Sequence, residues 1–513
     1  MKRIVTILLV IMLAASAKSQ NGGSACMHLL DQEEQMSGTL WLNTCNAVGL
    51  CIDSLPEIRR FEFFYHHTDG DFNRAAEADL SNLIGFRTFG IKKTGKAILS
   101  GSFDYDRAYE KNADWYMRFD PSETNPFYIA DSIGGDWLKD RFKTSFSIAS
   151  INSFHGFHAG LKTEYHVGLG GRDNDPRPQS LWMNLRIYPS VTWKSQNGWF
   201  TGITAIIGSK REDIDVMNKY GVGGNAIFKV NGLMQYGSPL VKSTLSYRFD
   251  ALQLGGAIQA GRQTCYSKWF AELEYLNTFE DATQSPYASN MDDATKVFTS
   301  TAIRDAAFEE HYWRVYAGTK LRMRQKTIVL GFTGINKNSK SYLYENEQVE
   351  YQSRNIDLSV TGEMYFGQEG HTQKSIGMQL GSLHHSAENF FYATQLIAMW
   401  GGEMHAHYTK DLAGGWSAGL IFTTGGFFDN GSKLNISPTT PFIPARTEIT
   451  SPVVIHDFNI LSKSYLTEQA QLEIYFPPLK QQRLYLKASS GWLIPGKAFK
   501  SLWNAECSFG MLF

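Results

Sequence analysis

The 513-residue sequence has no apolar run long enough to form a membrane-spanning helix after its first residues. Such a helix needs about 20 consecutive apolar residues, and the mean hydropathy of this chain is slightly negative, -0.28. Proline is sparse, with 15 residues, whereas glycine (46 residues) and aromatic residues (13%) are abundant. This composition is typical of a membrane β-barrel, because half of each strand faces water and aromatic residues collect at the lipid interfaces.

The sequence also lacks an excess of charge of either sign. It contains 49 Lys and Arg against 50 Asp and Glu, which gives a net charge of -1. Because nucleic-acid binding requires a concentrated basic surface, we expect no nucleic-acid partner. The five cysteines show no CxxC or Cys/His spacing, so the sequence predicts no zinc site and no cofactor. Cys45 and Cys51 lie close enough in sequence for a small disulfide loop, an alternative that spacing leaves open.

The final residues show the clearest β-strand pattern. From Ser501 to Phe513 apolar and polar residues alternate strictly, which places the two sets on opposite faces of a strand. A strand that is apolar outside and polar inside suits a transmembrane barrel. The aromatic C-terminal residue resembles the recognition signal of bacterial outer-membrane barrels, which implies an integral outer-membrane location in contact with outer-membrane lipid.

The N-terminus agrees with export. Met1 to Arg3 is basic, Ile4 to Ala14 is apolar, and small residues follow at Ala15 to Ala17. This arrangement predicts a secretory signal peptide in residues 1–20. We divide the remainder into an N-terminal plug or periplasmic segment, 21–56, and a barrel domain, 57–513.

Alternating segments recur along the whole chain, with clear examples at Phe157 to Leu169, Leu181 to Trp193 and His311 to Met323. They predict an all-β, transmembrane, antiparallel up-and-down β-barrel. About 20 strands result, with a range of 14–22, if weaker segments around Phe228, Val241 and Leu252 are included. We expect short turns at the periplasmic end and long polar loops outside, at Arg107 to Asp140, Arg211 to Asn225, Thr278 to Phe308, Asn336 to Tyr351 and Phe428 to Thr467.

The polar faces of these strands carry many charged residues, which we expect to line the lumen. Mixed signs argue against a strongly ion-selective pore. Carboxylates and imidazoles on neighbouring strands could converge on a metal, but a mutually paired, solvated interior is favoured and no metal site is predicted. The lumen-lining residues are His158, Lys162, Glu164, His166, Arg314, Lys320, Arg322, Asp357, Glu363, His385, Glu403, His405 and His407.

A barrel of this size is wider than its own side chains can fill, so it is either plugged or conducting. We predict that Trp41, Asn46, Ala47, Gly49 and Leu50 form a plug. The run from Asn46 to Leu50 resembles the N-terminal hatch motif of the long-chain fatty-acid transporter family, although it lacks the proline of that motif.

A second resemblance covers almost the whole chain. Its motifs, in order, are Trp41 to Leu50, Gly70 to Phe72, Gly101 to Tyr105, Asn125 to Phe127 and Asp173 to Pro178. Together they resemble an uncharacterised Bacteroidota family of outer-membrane β-barrels, often encoded near TonB-dependent receptors and surface lipoproteins. The resemblance implies a place in nutrient capture, with a TonB-dependent receptor or a surface lipoprotein as partner.

We therefore expect a channel or an accessory component for uptake of a small solute, whose identity the sequence does not give. One alternative is a transporter of hydrophobic compounds with an apolar pocket lined from Phe119, Phe127, Tyr128 and Trp137. Another is a structural or adhesion barrel that conducts nothing.

A lipid-active enzyme is a further alternative. Ser382 and His384 share one strand face and resemble, in reversed order, the His-x-Ser pair of outer-membrane phospholipase. Catalysis by such a pair needs a third residue to orient the histidine. The sequence identifies none, so we expect no enzyme activity.

Overall fold

A computed structural model describes most of the chain but not the predicted signal peptide in residues 1–20, nor Val241, which both lie outside the described residues. The described residues are 28–37, 40–41, 44–53, 57–122, 124–218, 225–236, 240, 243–285, 302–368, 371–437, 444–479, 482–496 and 499–513.

The described residues form mainly long β-strands. In chain order these are β1 (Ile58–Asp69), β2 (Leu80–Lys93), β3 (Ala97–Ala113), β4 (Phe127–Ala130), β5 (Gly135–Ser150), β6 (Phe157–Arg172), β7 (Arg177–Lys194), β8 (Trp199–Met217), β9 (Phe228–Asn231), β10 (Thr244–Gln263), β11 (Ser267–Ser285), β12 (Ile303–Met323), β13 (Lys326–Leu343), β14 (Gln348–Gln368), β15 (His371–Asn389), β16 (Ala393–Asp411), β17 (Ser417–Asp429), β18 (Lys433–Ile436), β19 (Tyr465–Tyr475), β20 (Arg483–Pro495) and β21 (Leu502–Leu512).

Three α-helices occur among the described residues: α1 (Leu29–Ser37), α2 (Gly49–Ile52) and α3 (Pro444–Leu461). Within the described ranges, none of the helices combines the length and the apolar character that a bilayer crossing demands.

The strands close into a barrel. Successive wall strands pair antiparallel, and β1 pairs with β21, for example at Phe64 and Ser508. Strands β17 and β18 pair in succession with β16 and so occupy one place in the wall, which therefore has 18 places in the described chain. The count is lower than the expected 20 but within the range of 14–22. Phe228 accounts for part of the excess, because it begins β9, which pairs with β4 and not with the wall.

The outer wall is apolar, as the alternation predicts. In β21, Cys507 and Phe509 face outward, whereas the intervening Ser508 is 3% exposed. In β6, Leu161, Tyr165 and Leu169 likewise face outward. A closed barrel leaves no strand edge unpaired, and an apolar wall of this kind matches hydrocarbon.

The strands are longer than the sequence pattern predicts. The expected loop at Asn336 to Tyr351 is wrong, because β13 continues to Leu343 and β14 begins at Gln348. Strands β12 and β14 each contain 21 residues, whereas about 9–11 residues cross the hydrocarbon. Their outer ends meet water on both faces, so the apolar alternation stops before the strand does. For the same reason the expected loops at Arg107, Arg211 and Thr278 begin as strand.

Candidate functional site

The N-terminal segment, meaning the described residues between 28 and 53, contacts inward-facing side chains near the short-turn end of the wall. The backbone N–H of Leu29 at the start of α1 donates to Tyr475 Oη at 3.1 Å on β19. The backbone N–H of Thr372 on β15 donates to Asp31 Oδ1 at 2.7 Å. These contacts fix α1 to strands on one side of the barrel.

Trp41 anchors the middle of the segment. It is 2% exposed, and its ring lies against Phe200 and Phe270, with centroid distances of 5.0 and 4.5 Å. Gly49 at the start of α2 makes this packing fit, because a Cβ there would lie 2.2 Å from Trp41 Cβ. Ala47 and Leu50 are also buried. The predicted plug residues are therefore packed together against the wall.

Asn46 ties the segment to two wall strands that flank a third. Its Oδ1 accepts from the backbone N–H of Val48 at 2.9 Å. Its Nδ2 donates to Thr192 Oγ1 on β7 and to Gln259 Oε1 on β10, each at 3.0 Å. Gly202 on β8 pairs with both of these residues and leaves space for the amide, because a Cβ there would lie 2.8 Å from Asn46 Nδ2.

Charged contacts complete the attachment. Asp53 and Lys268 on β11 form an ion pair in which the two side chains are 1% and 9% exposed. Glu33 Oε2 lies 3.7 Å from His407 Nδ1 on β16. The buried pair of Asp53 and Lys268 is costly to break, because breaking it leaves one charge without compensation.

The two cysteines of the segment are free thiols. Cys45 Sγ lies 3.5 Å from Glu272 Oε2, and burial with the nearby negative charge raises the pKa of this thiol well above its ordinary value. Cys51 Sγ donates to the Ser150 carbonyl at 3.2 Å, and burial raises its pKa to about 11. The disulfide that the sequence left open is not formed in this structure.

The connection between β3 and β5 folds inward at the opposite end. Arg118 is completely buried, with Nε 2.8 Å from Glu212 Oε2 and Nη2 3.2 Å from Glu280 Oε1. The backbone N–H of Phe119 also donates to Glu212 Oε1, at 2.6 Å. These ion pairs hold the connection against the inner faces of β8 and β11.

An apolar cluster surrounds this connection. Phe127 packs against Tyr247 and Phe249, with ring centroids 6.2 and 6.3 Å away. Phe119 stacks on Trp182 at 6.0 Å. Phe119, Phe127 and Trp137 are 2–4% exposed, so these aromatic residues fill the interior at this end instead of lining an open apolar pocket.

A polar pocket of about 430 Å³ lies beside the N-terminal segment, with Thr44 and Cys45 contributing to its lining. Glu164 Oε1 pairs with Lys162 Nζ at 2.8 Å, and Arg314 Nη2 pairs with Glu274 Oε2 at 2.8 Å. The wall residues that line the pocket are Lys162, Glu164, Arg186, Tyr188, Gln253, Glu274, Leu276, Thr278, Glu310, Tyr312, Arg314 and Lys337.

A comparison with models of protein families identifies the family of the chain. A model described as a family of unknown function, DUF6850, matches residues 47–513. The chain belongs to the DUF6850 family. The comparison with curated proteins finds no match for it.

Among solved structures, the DUF6850 barrel is similar to the ferric citrate transporter FecA in its unliganded form, with 8% identity, a TM-score of 0.42, and coverage of 88% of this chain and 78% of that chain. It is also similar to the alcaligin receptor FauA from Bordetella pertussis, with 7% identity, a TM-score of 0.40 and coverage of 89% and 76%. For OccK9 (OpdG) from Pseudomonas aeruginosa the values are 11%, 0.32, 89% and 98%.

The predicted lumen residues of the DUF6850 barrel fall into separate groups. Lys162, Glu164 and Arg314 line the pocket. His158 Nδ1 lies 3.0 Å from the Ser150 carbonyl, and His166 lies beside Trp182 with ring centroids 6.4 Å apart. Lys320 and Arg322 lie on β12 near its short-turn end.

The second group lies on β14 and β16. His405 Nε2 is 2.9 Å from Glu363 Oε2, and Thr467 on β19 donates to Glu403 Oε1 at 2.9 Å. His407 Nε2 is 3.5 Å from Glu473 Oε2.

The remaining two predicted residues, His385 and Asp357, belong to neither group. His385 contacts Asn355, and Asp357 pairs in register with Leu383. Among the described residues, no group of three or more His, Cys, Asp or Glu is arranged to hold a metal ion.

Four charged residues that line the pocket, Arg186, Glu274, Glu310 and Lys337, were absent from the predicted set. Arg186 follows the inward period of β7, which the sequence showed. Lys337 was missed because it lies in the stretch expected to be a loop, and Glu310 because it lies between the expected loop that ends at Phe308 and the expected strand that begins at His311.

The strand positions of Ser382 and His384 bear on the enzyme alternative. Both residues are exposed on β15. Their register partners on β14 and β16 are Leu358, Trp400, Ile356 and Ala398. None of these side chains has a hydrogen-bond acceptor that could orient the histidine.

Proposed function

We propose that this chain is an outer-membrane barrel for passage of a small polar solute, with the N-terminal segment as its plug. The observation that carries the proposal is the 430 Å³ polar pocket whose lining includes Thr44 and Cys45 of that segment. A solute entering from the long-loop end would meet paired charges, and the segment would block its exit until displaced. The apolar outer wall supports the location, and the proposal includes a signal peptide in residues 1–20.

The partner is also part of the proposal. The segment is held by buried hydrogen bonds and by the ion pair between Asp53 and Lys268, so displacing it requires work. We propose that an uptake complex containing a TonB-dependent receptor or a surface lipoprotein supplies it. Purification of the protein from its own outer membrane, followed by identification of co-purifying proteins, tests this; recovery of the barrel alone under gentle extraction counts against it.

Conductance in planar lipid bilayers tests the plug. We expect the whole protein to conduct little and a variant lacking residues 21–56 to conduct more. No current from either form would favour a scaffold that conducts nothing.

An engineered disulfide gives a sharper version of the test. Val48 Cγ2 lies 2.9 Å from the position of a Cβ on Gly160, close to the roughly 3 Å between a sulfur and the partner Cβ that disulfide bond lengths imply. We expect the oxidised V48C/G160C variant to stay closed under conditions that open the wild type, and reduction to restore opening. The single variants V48C and G160C are controls for pairing with Cys45 or Cys51. If the oxidised and the reduced double variant conducted equally under these conditions, opening of the barrel would not require movement of the segment.

A further inference from the structure

Arg186 is a pocket cation that lies opposite Glu164 in the register of β6 and β7 but forms no ion pair with a described residue. Its Nε donates to Gln253 Oε1 at 2.8 Å, across Gly208 of the intervening strand β8. A Cβ at Gly208 would lie 2.8 Å from Gln253 Oε1 and 3.0 Å from Arg186 Cγ. No carboxylate of the described residues lies within 4.0 Å of this guanidinium. The arginine is therefore held in place by a neutral amide.

Lys337 is a second cation of this kind. It lies on β13 with Nζ 5.8 Å from the centre of the Tyr312 ring, and within the described part of the chain no carboxylate comes within 4.0 Å of it. Two acidic groups of the pocket are already engaged. Glu164 accepts from Lys162 at 2.8 Å and from Tyr188 Oη at 2.7 Å, and Glu274 pairs with Arg314.

We infer that the pocket binds a small hydroxylated organic anion. The carboxylate or phosphate of this anion contacts Arg186 and Lys337. This inference rests on the proposed function and names the class of solute. A planar guanidinium matches carboxylate and phosphate geometry. The remaining lining of tyrosines, glutamates and Gln253 supplies acceptors and donors for hydroxyl groups. A volume of about 430 Å³ lies in the usual range for small-molecule sites, about 300–1,000 Å³.

Calorimetric titration of the detergent-solubilised full chain tests the inference with three sugars of similar size. Glucuronate carries a carboxylate, glucose 6-phosphate carries a phosphate, and glucose is neutral. We expect one or both anions to bind at least about 10-fold more tightly than glucose, since charge-assisted hydrogen bonds exceed neutral ones by roughly this factor. Preference for one anion over the other identifies the group that is recognised.

Variants localise the effect. R186Q should remove about 10-fold or more of the preference for the anion, and R186K should keep part of it, because lysine retains the charge without the planar fork. R211Q is the matched control, because Arg211 is 44% exposed on β8 and pairs with Asp250 away from the pocket. Glucose binding as tightly as both anions, or R186Q behaving like R211Q, would overturn the inference.

Binding and passage are separable in this design. Anion binding that depends on Arg186, together with absence of current from both the whole protein and the 21–56 deletion, would uphold the site and refute the transport proposal. Current from the deletion variant without any preference for an anion would refute the site and uphold transport.

Discussion

Glu363 on β14 and His405 on β16 meet across the intervening strand, with Oε2 and Nε2 2.9 Å apart above Gly377 of β15. A Cβ at Gly377 would lie 1.9 Å from Glu363 Oε2 and 2.1 Å from His405 Cε1. Glycine is therefore required for the contact, because side chains two strands apart reach each other only when the residue between them leaves the space.

The same arrangement recurs in the wall. Arg186 and Gln253 meet across Gly208, and Thr467 donates to Glu403 across Gly425. In each case a polar pair is formed by residues two strands apart. The inward glycines thus link the wall laterally in addition to the backbone ladder.

The first prediction concerns Gly377→Ala. The added methyl group should separate Glu363 from His405 and destabilise the barrel by about 1–3 kcal/mol, the usual cost of overpacking. Urea unfolding of the protein in lipid vesicles measures it. Gly362→Ala is the matched control, since the nearest atom to a Cβ there is Leu330 Cδ2 at 3.4 Å, an ordinary contact.

A double-mutant cycle with Glu363→Ala separates the clash with the Glu363 carboxylate from other effects of the added methyl group on stability. Removing the carboxylate should make Gly377→Ala less costly, because one of the two clashing groups is gone. Equal costs in both backgrounds, or equal costs for Gly377 and Gly362, would contradict the proposed role of this glycine.

Period-two alternation predicted the barrel. Lys162, Glu164 and Arg314 line the pocket as that pattern requires, because in a strand the side-chain direction follows from position alone. The same pattern places Glu363 and His405 on the inward faces of nearby strands, where the two side chains can meet. Alternation does not predict which pairs of inward residues are in contact, because this depends on the register of the strands and on the glycines between the residues.

Two kinds of residue escaped prediction for physical reasons. Lys337 lies where β13 extends past the hydrocarbon, so its strand shows no apolar alternation there. Arg118 lies in a connection, and its partners Glu212 and Glu280 are 94 and 162 residues away in sequence. Such pairing depends on how the connection folds back, which local pattern does not encode.

The second prediction uses Cys45 to report on the N-terminal segment. In the wild type, burial protects this thiol and raises its pKa, so a maleimide should modify it slowly. Trp41→Ala removes the ring packed on Phe200 and Phe270 and should weaken docking of the segment by about 3–5 kcal/mol. Maleimide labelling should then become much faster.

Labelling is measured in proteins whose other cysteines are serine. Trp416→Ala is the control, since Trp416 is 39% exposed on the wall and contacts Phe476 instead of the segment. Slow labelling of Cys45 in both variants would contradict the anchoring role of Trp41.

The third prediction is a pH dependence of the connection between β3 and β5. Burial, reinforced by the charges of Asp131 and Asp79, raises the pKa of Asp114 to about 6. A carboxyl whose pKa is raised in the folded state favours folding in its protonated form. Its contribution is complete below about pH 4 and is lost as the pH rises through 6.

Hydrogen exchange of peptides covering residues 113–135, corrected for the intrinsic pH effect, measures this loss. Protection should fall between pH 4 and pH 7 in the wild type, and Asp114→Asn should flatten the dependence. The exposed Asp173 provides the control variant Asp173→Asn, which should follow the wild type. A profile unchanged by Asp114→Asn would assign the dependence to another group.

The fourth prediction concerns Arg118, which carries the charge between Glu212 and Glu280 with no exposure to solvent. Replacement by methionine, of similar length, leaves two buried carboxylates without this cation, and loss of one partner of a buried ion pair costs about 3–5 kcal/mol. The connection should detach from the inner wall, so chymotrypsin should cut within residues 114–134 and the conductance of the 21–56 deletion should rise. Arg74→Met supplies the comparison, because Arg74 pairs with Glu77 at 2.8 Å near the surface, where a salt bridge contributes about 0–1 kcal/mol. If both variants resist chymotrypsin equally, Arg118 does not hold the connection in place, and the outer end of the barrel must be closed by the apolar cluster alone.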